Sequence, residues 1–367
     1  MRRFLQYIGW NEGMQQYRGR ASGYPDCKSE MIFSNEGKIK IRNILLIIAA
    51  IFICAIVLLV GLTYPEYHDT MTQTQQQLTT NSNILKTEYG DIEYAVKGEG
   101  TPVLIIHGAG GGYDQGLWLG KVFFGNGHKF ISVSRYGYLR SPVPENASVK
   151  MQSGAFKPLL DNLSIDKAIV VGVSAGGPSA TQFCNNYPDR CSALILISAV
   201  SMGPAPGDKA PFYVNIIHAI QQSDYAYWLV TKFFQPSILE LMGIPTDIYE
   251  TFNPEQKELA QEMLDGMHPM SQRYEGTIND EKMIKSYTVP TTNLRAPTLI
   301  IHAKDDALVS YTHAENAHNK INHSQLVLYD TGGHGMLSQM DDTRVLVQDF
   351  LNESISNGTS NSTTHAE

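Results

Sequence analysis

The chain has 367 residues, 43% of them hydrophobic, enough to bury a sizeable core as two units or as one α/β domain carrying an insertion. A formal net charge of -8, with no basic run interleaved with aromatic residues, argues against nucleic acid as a partner, because phosphate binding needs a basic face. The glycine-rich run at 108–112 lacks the third glycine of a dinucleotide fingerprint and any following Lys-Ser/Thr, which argues against nucleotide binding as well.

Residues 1–42 are polar with a basic excess, and residues 44–62 (ILLIIAAIFICAIVLLVGL) carry no charge. At ~1.5 Å per residue such a helix is about long enough to span a ~30 Å hydrocarbon layer. No Lys or Arg occurs between Thr63 and Leu85, so the positive-inside rule places the N-terminus in the cytoplasm and everything after residue 63 outside it. The run exceeds the ~7–15 residues of a signal-peptide core and no A-x-A site follows, so residues 43–62 are expected to be an uncleaved signal anchor. The segment from Met31 onward supplies a basic flank by itself, leaving residues 1–30 dispensable to the anchor. Residues 63–86, with their Gln/Thr-rich and apolar-poor centre, read as a flexible stalk.

The globular part begins at about residue 87. Residues 89–96 alternate apolar and polar as an edge strand does, and VLII at 103–106 has the continuous apolar character of a buried parallel strand. It ends in His107-Gly-Ala-Gly-Gly-Gly112, a loop whose backbone N–H groups can approach a ligand closely. A strand at 131–134, its loop at 135–142 and a helix at 156–163 follow. The next strand, AIVV at 168–171, runs straight into Gly172-Val-Ser174-Ala-Gly176, the G-x-S-x-G spacing of a sharp strand-to-helix turn. Small residues on either side let the chains pass, and the apex Ser174 stands clear of the sheet with a helix N-terminus behind it. The N–H groups of Ala175 and Ala109 are placed to form an oxyanion hole.

After a strand at 193–198 the alternation stops. Residues 202–294 have largely helical patterning and are rich in aromatic residues and methionine, Phe212, Tyr213, Trp228, Met263, Met267 and Met270 among them. Strands resume at 298–303, ending in Lys304-Asp305-Asp306, and at 325–329, followed by Asp330-Thr-Gly-Gly-His334-Gly335. Residues 343–351 read as a closing helix, and the Ser/Asn/Thr-rich tail 352–367 as disordered.

This order of elements resembles the α/β-hydrolase superfamily over roughly residues 87–351. The stretches LIIHGAGGGYDQG, VSRYGYLRSPVP, IVVGVSAGGPSA, APTLIIHAKDDALV and TGGHGML look like those of capped small-molecule hydrolases of the esterase, haloperoxidase and C–C hydrolase kind. The resemblance implies an α/β fold, a mostly parallel sheet with helices on both faces, and a helical cap at 202–294. It also implies a nucleophile–acid–histidine triad in that chain order. Ser174 is the nucleophile and His334, in a glycine-flanked loop after a strand, the base. Spacing alone permits Asp305 or Asp306 as the acid; the family motif, with its acid three residues before the valine at 309, selects Asp306. His313 and His318 have the wrong spacing for H-E-x-x-H, and the triad needs neither metal nor cofactor.

The expected protein is therefore a membrane-anchored serine hydrolase cleaving a small, mostly apolar ester or amide through an acyl-enzyme. An amidase, peptidase or perhydrolase with the same triad, and a non-catalytic binding module on the same fold, remain as alternatives. The helical insertion is expected to roof Ser174. Oligomeric state is unspecified. Cys184 and Cys191 flank one turn and pair as a disulfide in an oxidising compartment or stay as buried thiols.

Overall fold

The structure is a computed structural model that describes residues 35–204, 214–290 and 292–360. Residues 1–34, Phe212, Tyr213 and residues 361–367, on which some of the expectations above fall, lie outside the described residues. The chain divides into two compact units, Met1–Thr63 and Tyr64–Glu367. In the first, the helix α1 (Asn35–Thr80) begins. It is long and apolar enough to cross a membrane, with a mean hydropathy of 3.4 in its most apolar window, none of which is buried.

The second unit is built on an eight-stranded sheet. Its elements in order are β1 (Asn83–Leu85), β2 (Ile92–Lys97), β3 (Thr101–Ile106), α2 (Tyr113–Phe123), β4 (His128–Ser134), α3 (Val149–Gly154), α4 (Phe156–Asn162), β5 (Ala168–Val173), α5 (Gly177–Asn186) and β6 (Cys191–Ile197). Six helices follow: α6 (Val214–Gln221), α7 (Asp224–Phe233), α8 (Gln235–Leu241), α9 (Thr246–Thr251), α10 (Pro254–Asp265) and α11 (Ser271–Ile284). The chain returns through β7 (Thr298–Ala303), α12 (Thr312–Lys320) and β8 (Ser324–Tyr329) to α13 (Met340–Ser360). The strand order is β1-β2-β4-β3-β5-β6-β7-β8, antiparallel at β1 and β2 and parallel from β4 onward.

Successive strand residues face opposite sides of the sheet, and both sides are covered. Val103, Ile105, Val171 and Ile195 pack with Val122 and Phe123 of α2 and Val347 of α13. Leu104, Ile106, Val170 and Leu194 pack with Leu159 of α4 and Phe183 of α5. That is why β5 and β7 read as unbroken apolar runs. The helix α2 was not legible in the sequence because Gly116 and Gly120 interrupt it. Both are needed for close approach to β4: a methyl at Gly116 would fall 2.0 Å from Ser132 Oγ, and one at Gly120 2.9 Å from the Phe130 ring.

The insertion between β6 and β7 is helical, and its ends meet in a bridge between Met202 and Thr288 and a hydrogen bond from Gly203 N to Tyr287 O (3.0 Å). Leu239, Ile244, Leu259 and Leu264 join the core on one face of the sheet, so the cap is packed onto the domain rather than tethered to it. Cys184 and Cys191 form a disulfide joining the end of α5 to the start of β6.

Two expectations are corrected. Residues 64–80 of the supposed stalk are helical and docked on the cap and on α2. Tyr67 meets the rings of Tyr225 and Trp228 at 5.0 and 5.8 Å, Glu66 pairs with Lys232, Gln75 accepts from Gln272 (2.6 Å), and Leu78 O accepts from the Tyr113 hydroxyl (2.9 Å). Low aliphatic content suggested a free linker, but tyrosine edges and side-chain amides supply the docking instead. The tail is likewise helical as far as Ser360, because α13 extends nine residues past Leu351. Replacing Tyr67 by alanine should destabilise this unit by about 1–2 kcal/mol and lower its melting temperature by a few degrees. Unchanged melting of the Tyr67→Ala protein would mean that the docked helix carries no stability.

Candidate active site

Ser174, Ala109, Asp306 and His334 all lie just past the carboxyl ends of parallel strands, β5, β3, β7 and β8 respectively, where an open α/β sheet binds its ligands. Ser174 sits at the apex between β5 and α5 with φ of 51°, a left-handed conformation that a non-glycine residue adopts at a cost of about 1–3 kcal/mol. Its surroundings enforce it. A methyl at Gly176 would lie 2.2 Å from Ile106 O and one at Gly172 2.6 Å from the Ala180 Cβ, while Ser174 O is held by Val200 N (2.9 Å). The side chain projects toward Gly108, where an added methyl would lie 3.0 Å from the Ser174 Cβ.

Of the two adjacent aspartates, Asp306 meets the histidine. His334 Nδ1 donates to Asp306 Oδ2 (2.8 Å), the Asp306 side chain being fully buried and that of His334 13% exposed. This fixes the neutral ring with its Nε2 lone pair free to take a proton. Asp305 is instead turned to the backbone N–H groups of Gly332 (3.3 Å) and Gly333 (2.9 Å), ordering the loop that carries His334. Asp306 Oδ1 accepts from Leu308 N (3.0 Å) and Val309 N (2.9 Å). Burial alone would raise its pKa, but hydrogen bonds from His302, His334 and Val309 outweigh that and hold it below the ordinary carboxylate range. Among the described residues the Ser174 hydroxyl has no hydrogen-bond partner.

The loop after β3 faces Ser174. The Ala109 N–H donates to no backbone carbonyl among the described residues, and Ala109 is exposed while Ala175, in the short turn of helix that opens at Ser174, is buried. The cap lies over this loop. A methyl at Gly110 would fall 2.3 Å from the Met267 Cε and 3.7 Å from the Met270 Cε, and Gly243 O accepts from His334 N (2.8 Å). Of the cap's aromatic residues, Tyr225 and Trp228 face α1, Phe233 and Phe234 are exposed, and Tyr227 packs against Met267 and Met270, the methionines nearest Gly110 of the loop.

Three residues at this site were not read from the sequence as functional. His302, at the end of β7, brings Nε2 to 3.2 Å from Asp306 Oδ2 and 2.8 Å from Val309 O, bracing the carboxylate from the side opposite His334. Arg135, after β4, forms a buried ion pair with Asp280 of α11 and donates to the carbonyls of His107 (2.9 Å) and Gly108 (3.0 Å). The i, i+4 spacing of His302 and Asp306 was a signal; the Arg135–Asp280 pair, 145 residues apart, left none.

Among the described residues no cluster of His, Cys, Asp and Glu has the arrangement of a metal site. An eight-stranded sheet with an elbow serine and an Asp–His pair at its carboxyl edge defines a hydrolase of the α/β class. Comparison with known proteins agrees. The alpha/beta hydrolase fold family matches residues 101–339, and the chain belongs to that family. It is 28% identical over 255 residues to an uncharacterized hydrolase of Bacillus subtilis, covering 67% of this chain and 88% of that one. It is 25% identical over 284 residues to 2-hydroxy-6-oxo-6-phenylhexa-2,4-dienoate hydrolase of Comamonas testosteroni, covering 71% and 91%. Among solved structures, an α/β-hydrolase fold protein from Nakamurella multipartita superposes with a TM-score of 0.62 at 22% identity, covering 74% of this chain and 98% of that one. An esterase from Exiguobacterium antarcticum gives 0.55 at 22% identity, covering 73% and 98%.

The turn that holds Met267 and Met270 over the loop contains His268, which is 2% exposed. Burial first, and then the charge of Arg273, lowers its pKa to about 4. The unfolded chain, with an ordinary value of ~6.5, takes this proton first. Stability should therefore be full above pH ~6.5 and fall as pH drops toward about 4, by about 3 kcal/mol in all. Urea unfolding at a series of pH values should show that decline in the native protein and a flatter one in His268→Gln. Identical slopes would exclude His268 as the titrating group.

Proposed function

We propose that this protein is a membrane-anchored serine hydrolase that cleaves a small, mostly apolar ester through an acyl-enzyme. The observation that carries the reading is the buried Asp306 carboxylate hydrogen-bonded to His334 at the same sheet edge as the strained Ser174 elbow. In this mechanism His334 takes the Ser174 proton as Oγ attacks the acyl carbonyl, and Asp306 stabilises the imidazolium. The oxyanion is received by Ala109 N–H and Ala175 N–H, and the alcohol leaves with the proton from His334. Water activated by the same imidazole then releases the acid. The chemistry calls on no metal or cofactor.

Met263, Met267 and Met270 give the roof an adaptable apolar character, which suits a short or medium acyl or aryl group. The names of several relatives suggest a second reading, hydrolysis of a dienoate that carries a carboxylate. The two arginines beside the loop, Arg135 and Arg273, are already paired with Asp280 and Asp114, which favours a neutral acyl group over a carboxylate. Anchoring by residues 43–62 with the domain outside the cytoplasm is supported by the length of the apolar helix, its basic flank and the Cys184–Cys191 disulfide.

A fluorophosphonate should label the native protein at Ser174, and Ser174→Ala or His334→Ala should abolish labelling. Across chromogenic esters, amides and peptides, short neutral esters should turn over fastest. Asp306→Ala should lower kcat by ~10⁴-fold and Asp305→Ala by far less. Undiminished turnover in Ser174→Ala would end this assignment.

A further inference from the structure

The Gly108 carbonyl is held by three donors: His107 Nδ1 (2.6 Å), Arg135 Nη2 (3.0 Å) and Gly111 N (3.4 Å). The ring nitrogen is a donor here because His107 Nε2 accepts from Arg135 N (3.0 Å), which leaves the proton on Nδ1. The imidazole stays neutral, since burial and the neighbouring guanidinium hold its pKa well below the ordinary value. Three donors on one carbonyl exceed what a turn needs for satisfaction. Their effect falls on the other half of the same peptide. In a planar trans peptide the C=O of one residue and the N–H of the next point in opposite directions, so fixing Gly108 O fixes the Ala109 N–H on the opposite side of a peptide whose Gly108 end adjoins Ser174. Hydrogen bonding to the carbonyl also polarises the peptide and strengthens its N–H as a donor.

Arg135 spans two such peptides, because Nε also donates to His107 O (2.9 Å). Its guanidinium is fully buried and pairs in fork fashion with Asp280, which is 5% exposed and also accepts from the Tyr138 hydroxyl (2.6 Å). A buried ion pair adds little stability relative to well-packed apolar residues of similar size, so stability alone does not account for it. Asp280 belongs to α11 of the cap, so the pair also joins the roof to the loop that it covers.

We infer that Arg135 is a positioning residue for catalysis: held by Asp280 of the cap, it aims and polarises the Gly108–Ala109 peptide so that the Ala109 N–H is presented to the oxyanion. This rests on the acyl-enzyme reading above and adds to it a residue that touches neither substrate nor nucleophile.

The test uses the full-length protein in detergent, with 4-nitrophenyl butyrate as substrate and an aryl trifluoromethyl ketone as tetrahedral-adduct inhibitor. Arg135→Lys keeps a charge opposite Asp280 but loses the fork across the two carbonyls. Arg135→Met combined with Asp280→Leu removes both charges without stranding either. With active sites titrated by fluorophosphonate, each should lower kcat by about 10–100-fold, somewhat less than outright loss of an oxyanion donor. The inhibition constant should rise by the same factor while KM stays within about threefold. Equal kcat and inhibition constant in folded variants would overturn the inference, as would losses confined to melting temperature or active fraction. Ser174→Ala separates the two claims: if it is inactive while the Arg135 variants match the native protein, only the positioning role is lost. If Ser174→Ala retains activity, the acyl-enzyme reading itself fails.

Discussion

The constraint on which the rest of the site depends is the left-handed turn at Ser174. A serine in that conformation costs about 1–3 kcal/mol, and the cost is met because β5 and α5 are both fixed by burial on either side of it. β5 is covered on both faces and flanked by β3 and β6, so the strand has no freedom to relax the bend. The absence of side chains at Gly172 and Gly176 then lets the elbow sit against Ile106 and Ala180. With the serine fixed, the loops after β3, β7 and β8 open at the same edge of the sheet, because parallel strands all end there, and the first of them meets Ser174 at Gly108.

Two separate hydrogen-bond systems flank that serine. On one side Asp306 is gripped by His302, His334 and two backbone N–H groups, so its charge is kept and its orientation set. On the other the Gly108 carbonyl is gripped by His107 and Arg135. In each case a buried acceptor is held by donors from more than one element, which fixes its orientation. The cap contributes to both, through Gly243 at His334 and Asp280 at Arg135. It is in turn braced by residues 64–80 of α1.

Much of the fold was legible in the sequence because parallel strands buried on both faces leave continuous apolar runs, and VLII, AIVV and TLII were each found where they lie. The elbow was legible because its sterics demand glycine at two fixed offsets. Between Asp305 and Asp306, however, spacing was silent and only the family resemblance chose; the distinction lies in which carboxylate faces the His334 loop and which supports it from below. Helix α2 was hidden by two glycines required for close packing. The docking of residues 64–80 leaves no aliphatic signal in the composition, because tyrosine edges and glutamine amides make the contacts there. The Arg135–Asp280 pair depends on a contact between the loop after β4 and the cap that no local pattern encodes.

The central claim is that an acyl group passes through Ser174 Oγ. It is tested most directly by mixing the full-length protein with a short-chain neutral aryl ester, quenching in acid within the first turnover, and mapping the peptides by mass spectrometry. The account predicts one acyl adduct, on the peptide containing Ser174, that accumulates transiently and decays with turnover. Full hydrolysis with no adduct on that peptide, or an adduct on another residue, would contradict it.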